Sequence, residues 1–101
     1  MAVRKVVWTD TARRQRREIF TYWNKRNGSS VYSKKLLRFI SFRVTQLIEF
    51  PYSGKETEFS NMRITSLGHF SIVYLLTEHH INIMGFWDTR QNPDKLLDSF
   101  K

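Results

Sequence analysis

Three side chains in the second half of this 101-residue chain have the types that phosphate or acid–base chemistry uses: Arg63, His69 and Arg90. Two arginines can hold a phosphate through paired N–H donors. With a pKa above roughly 12, neither can act as a general base. His69 is the one histidine placed to exchange a proton near them, yet it follows Gly68 in what reads as a hairpin turn. Arg90, in "GFWDTRQNPDKL", has two readings: a contact for a phosphate or a partner's carboxylate, or an internal pair with Asp88 or Asp94. Arg63 has the same choice, with Glu58 and Glu78 as internal partners. His79 and His80 are adjacent, so in a strand they would face opposite ways, and they are placed in a turn instead of a metal pair. The chain has no cysteine, which removes disulfides and thiolate metal sites and suits a reducing, cytoplasmic setting.

A different kind of signal lies in the first half. Residues 1–50 hold twelve Lys and Arg against three Asp and Glu, a balance of +9, while residues 51–101 hold five against six, a balance of −1. Arg13, Arg14, Arg16 and Arg17 are the densest part of that excess. They read as a solvated helix face or as a surface for an acidic or polyanionic partner.

These residues need elements to hold them. "VRKVVW" (residues 3–8) is a short β-branched strand. Thr9 then caps a helix to about Asn27, with Ala12, Ile19, Tyr22 and Trp23 on its inner side. "NGSS" turns the chain, and Ser30 caps a second helix whose apolar stripe is Leu36, Leu37, Ile40, Val44, Leu47 and Ile48. Pro51 ends it, and "PYSGKETE" reads as a loop. The period then changes. "NMRITSL", "FSIVYLL" and "INIMGFW" are three strands of an antiparallel meander joined by Gly68-His69 and "TEHH". Asn92, Pro93 and Asp94 open a short terminal helix carrying Leu96, Leu97 and Phe100.

We therefore expect one α+β domain over residues 1–101: an N-terminal strand, an antiparallel helical hairpin (residues 9–27 and 30–50) on one face of a four-stranded, mainly antiparallel sheet, and a short C-terminal helix. Its core should include Trp8, Ile19, Leu36, Ile40, Val44, Leu47, Ile64, Ile72, Tyr74 and Ile83. No apolar run approaches the roughly 18 residues of a membrane span, and no signal-peptide pattern opens the chain.

This order of elements resembles the RelE/ParE superfamily, the toxins of bacterial type II toxin–antitoxin modules. The resemblance is carried by "VVWTDTARRQRREIFTYW", "LIEFPYSGKE", "MRITSLGHFSIVYLL" and "FWDTRQNPDKL", and within them by Ala12, Ile19, Tyr22, Trp23, Pro51, Gly54, Arg63, Tyr74 and Arg90. It implies the fold just described, an acidic antitoxin as partner, and one of two activities. A RelE-like member would cleave mRNA on the ribosome. A ParE-like member would bind and poison DNA gyrase without chemistry of its own.

The departures decide between them. RelE-like members usually carry an arginine just ahead of "IVY", where this chain has Ser71, and lysines on the preceding strand, where it has Met62, Arg63 and Ile64. After the last arginine they carry a tyrosine or histidine, where it has Leu96, Leu97 and Phe100. The positive charge also lies in the helices and not on the second half. The ParE-like reading is favoured: a gyrase-binding toxin with no cofactor or metal, whose partner-binding candidates are Arg13, Arg14, Arg16, Arg17, Arg63 and Arg90. The alternative is a ribosome-dependent mRNA endoribonuclease using Arg63, Arg90 and His69.

Overall fold

A computed structural model describes residues 3–89. Arg90 and the terminal helix expected from Asn92 onward lie outside the described residues. The elements are β1 (Lys5–Trp8), α1 (Asp10–Asn27), α2 (Val31–Glu49), β2 (Lys55–Glu56), β3 (Met62–Leu67), β4 (Phe70–Leu76) and β5 (His80–Asp88).

Each helix boundary has a local cause. The Thr9 hydroxyl accepts the Ala12 N–H at 3.2 Å and donates to the Ile83 carbonyl at 2.9 Å. One side chain thus caps α1 and ties its start to β5. Thr9→Ala is expected to cost about 0.5–2 kcal/mol in urea unfolding. A loss at the upper end would reflect the second bond, which a solvent-exposed cap does not make. Gly28 ends α1 in the left-handed conformation at φ 66°, the usual glycine stop. Ser30 precedes α2, but its hydroxyl makes no capping bond. Its ψ of 8° is close to helical, so the side chain lacks the extended backbone from which a cap reaches forward. The hairpin is clasped instead by Ser33, whose buried hydroxyl lies 2.6 Å from Asn24 Oδ1 and 3.2 Å from the Phe20 carbonyl.

The sheet order is β1-β5-β4-β3-β2, with β1 parallel to β5 and every other pair antiparallel. The four expected strands all form. A fifth, β2, comes from the stretch read as a loop, where Lys55 and Glu56 pair with Ile64 and Arg63. Two exposed charged residues carry no alternation to detect, and a short charged strand is a common way to finish a sheet edge. β4 is central and buried on both faces, which explains its apolar run from Ile72 to Leu76.

Both helices pack on one face. There Ala12, Leu36, Ile40 and Leu47 meet Phe70, Ile72, Tyr74, Ile81, Ile83 and Phe86, with Trp8, Ile19 and Val44 partly buried at the margin. Ile64 was expected in this core and lies elsewhere. It joins Met62, Val73, Leu75, Met84 and Trp87 in a second cluster made of sheet residues and Phe59. The alternation of β3 was read with the correct period and the wrong face inward. Thr65 is the inward residue, buried because Arg43 reaches down from α2 to its hydroxyl at 2.9 Å and to the Ser66 carbonyl at 2.8 Å. Among the described residues, no helix is long and apolar enough to cross a membrane.

Candidate functional site

Arg63 and Tyr74 are register partners on β3 and β4, so their side chains share the helix-facing side of the sheet. Both are used on the loop that follows α2. Arg63 Nη1 donates to the carbonyls of Tyr52 (3.1 Å) and Gly54 (2.8 Å), and Nη2 to Glu56 Oε1 (3.1 Å). The Tyr74 hydroxyl donates to the Pro51 carbonyl at 2.8 Å and accepts the Gly54 N–H at 2.9 Å. The exposed Tyr52 ring has the Arg63 guanidinium 5.3 Å from its centroid and that of Arg4 at 5.7 Å. Arg4 is itself held by the Thr77 carbonyl at 2.8 Å.

Arg63 is therefore a bracket that holds residues 52–56 against the sheet. Its acidic partner is Glu56, two residues from the Glu58 that the sequence suggested. Glu56 is 81% exposed, so the ion pair adds little to stability and the two carbonyl bonds carry the bracket. Gly54 has to be glycine for a steric reason: a Cβ there would overlap the Tyr74 hydroxyl and lie 2.8 and 2.9 Å from its ring carbons. Burial pushes the Tyr74 hydroxyl above the ordinary tyrosine pKa, and the Gly54 N–H, the Arg63 charge and Ser53 only partly oppose it.

His69 is exposed in the turn between β3 and β4, after Gly68 at φ 59°. Its carbonyl accepts from both the backbone N–H and the hydroxyl of Thr89, each at 2.7 Å. Arg63 is near one end of β3 and His69 just beyond the other. At about 3.3 Å per residue, the roughly five strand steps to the Gly68-His69 turn set their backbones about 17 Å apart. The structure thus does not bring these two candidates together. Ser71 is 8% exposed, opposite Ser66 and Trp87. His79 and His80 lie at the turn into β5, where the His80 N–H donates to the Thr77 hydroxyl at 3.2 Å.

The four arginines in the first half of α1 also separate. Arg16 turns inward, with its guanidinium 4.3 Å from the Trp8 ring centroid. Burial, then repulsion from Arg13, lowers its pKa. Arg13 pairs with Asp10 at 2.6 Å on the surface. Arg14 and Arg17 are exposed and make no hydrogen bond or ion pair among the described residues. Of these four, Arg13, Arg14 and Arg17 are accessible.

Two features had no sequence signal. Gln15 Oε1 accepts the Phe86 N–H at 2.9 Å, so a polar residue of α1 takes over a strand donor of β5. Beside it, a cavity of about 500 Å³ opens between α1 and the end of β5, lined by Ile19, Tyr22, Trp23, Phe86 and Trp87, with Glu18, Arg26 and Asp88 as charged neighbours. Only the approach of α1 to β5 creates it, although Tyr22 and Trp23 stood out as inner-face aromatics.

The arrangement can anchor a loop, present a cationic helix face and offer aromatic-lined clefts. Among the described residues, the acid–base groups beside Arg63 are Glu56 and the Tyr74 hydroxyl, and both are engaged in holding the loop after α2.

Comparison with known proteins agrees with this architecture. The family model for the ParE toxin of the type II toxin–antitoxin system parDE matches residues 6–93. A chain from the chromosomal ParDE TA system of P. aeruginosa superposes with a TM-score of 0.71 at 19% identity, covering 83% of this chain and 94% of that one. At that identity the superposition establishes the shared fold. A search of curated proteins finds no significant match. With the family match running over nearly all of it, from within β1 to beyond β5, the chain belongs to the ParE toxin family of type II toxin–antitoxin systems.

Proposed function

We propose that this protein is a growth-inhibiting toxin, a single domain over residues 1–101 acting in the bacterial cytoplasm, which binds DNA gyrase and is neutralised by an acidic antitoxin. The observation that carries the target is the commitment of Arg63. Its donors go to Tyr52, Gly54 and Glu56, which leaves it poorly placed to receive a scissile phosphate. His69 is at the far end of β3, position 71 is serine, and the acid–base groups beside Arg63, Glu56 and the Tyr74 hydroxyl, are engaged in holding residues 51–56, which favours the non-nuclease reading. The cationic hairpin supports the antitoxin part of the reading. An acidic segment that folds as it binds would gain there from charge and from apolar burial.

The test is purified protein in two assays, gyrase supercoiling and translating ribosomes with a defined mRNA. Inhibited supercoiling with intact mRNA is expected, and cells expressing the toxin should filament and mount a DNA-damage response. Codon-positioned mRNA cleavage would overturn the reading in favour of the endoribonuclease.

A further inference from the structure

α1 sends five cations into solvent, Arg13, Arg14, Arg17, Lys25 and Arg26, against the carboxylates of Asp10 and Glu18. Those carboxylates do not offset them evenly. Asp10 is taken by Arg13 at 2.6 Å, and Glu18 is turned to the cavity beside β5. Arg26 is also occupied, donating to the Tyr22 hydroxyl at 3.1 Å beside the Trp23 ring. Arg14, Arg17 and Lys25 remain, and they make no hydrogen bond or ion pair among the described residues. With Thr21 they are spaced by three and four residues, so they form one outward stripe. At 1.5 Å per residue, the stripe runs roughly 16 Å from Arg14 to Lys25. No apolar side chain interrupts it. The exposed ring of Tyr22 lines the cavity, and α1 has no counterpart of the exposed Phe39 and Phe42 of α2.

We infer that this stripe binds the phosphate backbone of duplex DNA, a contact beyond any made with gyrase itself. Over roughly 16 Å each strand of a duplex presents about five phosphates. Cations held in line on a helix can neutralise several of them and release their counterions. Guanidinium groups suit this work because their donors are paired and planar. Charge complementarity and the lack of an apolar anchor together select the occupant. An acidic protein segment would have to order itself on α1 with no apolar surface to bury there. A duplex is already rigid and binds through charge. A second copy of the chain would bring its own net charge of +8 to the same stripe. The choice of DNA over RNA rests on the gyrase reading above. A toxin seated on an enzyme that holds duplex DNA meets that DNA at high effective concentration, so a weak electrostatic contact suffices.

The experiment titrates a fluorescently labelled DNA duplex of about 20 base pairs with the full-length toxin and reads anisotropy from low to moderate salt, about 50 to 200 mM. Wild type is compared with Arg14→Gln/Arg17→Gln and with Lys34→Gln/Lys35→Gln, a second cationic pair on α2. All four positions are exposed, so both variants should unfold close to the wild-type temperature. The logarithm of the wild-type affinity is expected to fall with the logarithm of salt at a slope of about −3, one phosphate per cation of the stripe. Loss of Arg14 and Arg17 should flatten that slope by about 2 and weaken binding at least about ten-fold at the lowest salt. Loss of Lys34 and Lys35 should leave the slope as it is. Equal flattening by both pairs would mean that the charge acts diffusely and would overturn the stripe, as would no binding at the lowest salt. Binding of an RNA duplex of the same length about ten-fold more tightly would overturn the assignment to DNA. Gyrase supercoiling is assayed in parallel. Inhibition by a toxin that binds no duplex overturns the inference and leaves the gyrase reading standing, and duplex binding without inhibition does the reverse.

Discussion

Tyr74→Ala lowers the unfolding free energy by about 3–5 kcal/mol, as expected for a large side chain removed from a packed core. Such a loss is comparable to the total stability of a marginal domain. Tyr74 is fully buried in the central strand, and its hydroxyl ties the Pro51 carbonyl and the Gly54 N–H to the sheet. Tyr74→Phe keeps the ring and loses those two bonds, at about 1–3 kcal/mol for stranding buried partners. Gly54→Ala drives a methyl into the same hydroxyl, so the ring must shift within a full core, at about 1–3 kcal/mol. The two changes share one contact, and the double variant should cost less than their sum. The overlap with the ring carbons keeps the rescue partial.

Alkaline pH tests the same lock. Folding raises the Tyr74 pKa above its unfolded value of about 10. Its protonated hydroxyl therefore contributes stability that is whole below about pH 10 and is lost as pH rises through the folded value. Tyr74→Phe should flatten that alkaline decline. Urea midpoints for Tyr74→Phe, Gly54→Ala and the double variant, measured from neutral to alkaline pH beside wild type, are the check. A wild-type-like midpoint for Tyr74→Phe would show that the loop is held by other contacts.

His69→Gln leaves growth arrest unchanged to within about twofold, while Arg63→Ala weakens it only as far as it depletes folded protein. These are the expected results if neither residue performs proton transfer. General acid–base groups contribute about 10²–10⁴-fold to a reaction, so a nuclease using His69 would be all but silenced by the amide. Arg63 acts on the fold: without it, the Tyr52 and Gly54 carbonyls lose their donor and the exposed Glu56 loses its partner. Arg63→Lys should fall between the two, because a single ammonium cannot reproduce the guanidinium fork across three acceptors. The measurement is an expression titration against growth rate, with the folded fraction of each variant determined in parallel. Arrest lost in fully folded Arg63→Ala or His69→Gln would place that residue in the chemistry or on the target-binding surface.

Most of the architecture follows from local information. Helix and strand periods differ enough that a three-and-four spacing over residues 30–50 and an alternation from Asn61 onward can each form one kind of element. Thr9, Gly28 and Pro51 mark the helix ends through backbone chemistry that acts within a few residues of each. The charge asymmetry between the halves is also a property of the sequence alone, and it puts the cationic surface on the hairpin before any packing is known. Which face of β3 turns inward was settled only in three dimensions. Met62 and Ile64 look like core residues, but Thr65 and Arg63 hold the inner positions because Arg43 and the loop after α2 supply their polar partners from distant segments. The fate of the candidate site was settled in the same way. Arginine's donors serve a substrate or the protein's own carbonyls equally well, and sequence spacing does not distinguish them. In the folded chain, residues 52–56 come within reach of Arg63 and occupy it, while the length of β3 carries His69 to the other end of the sheet.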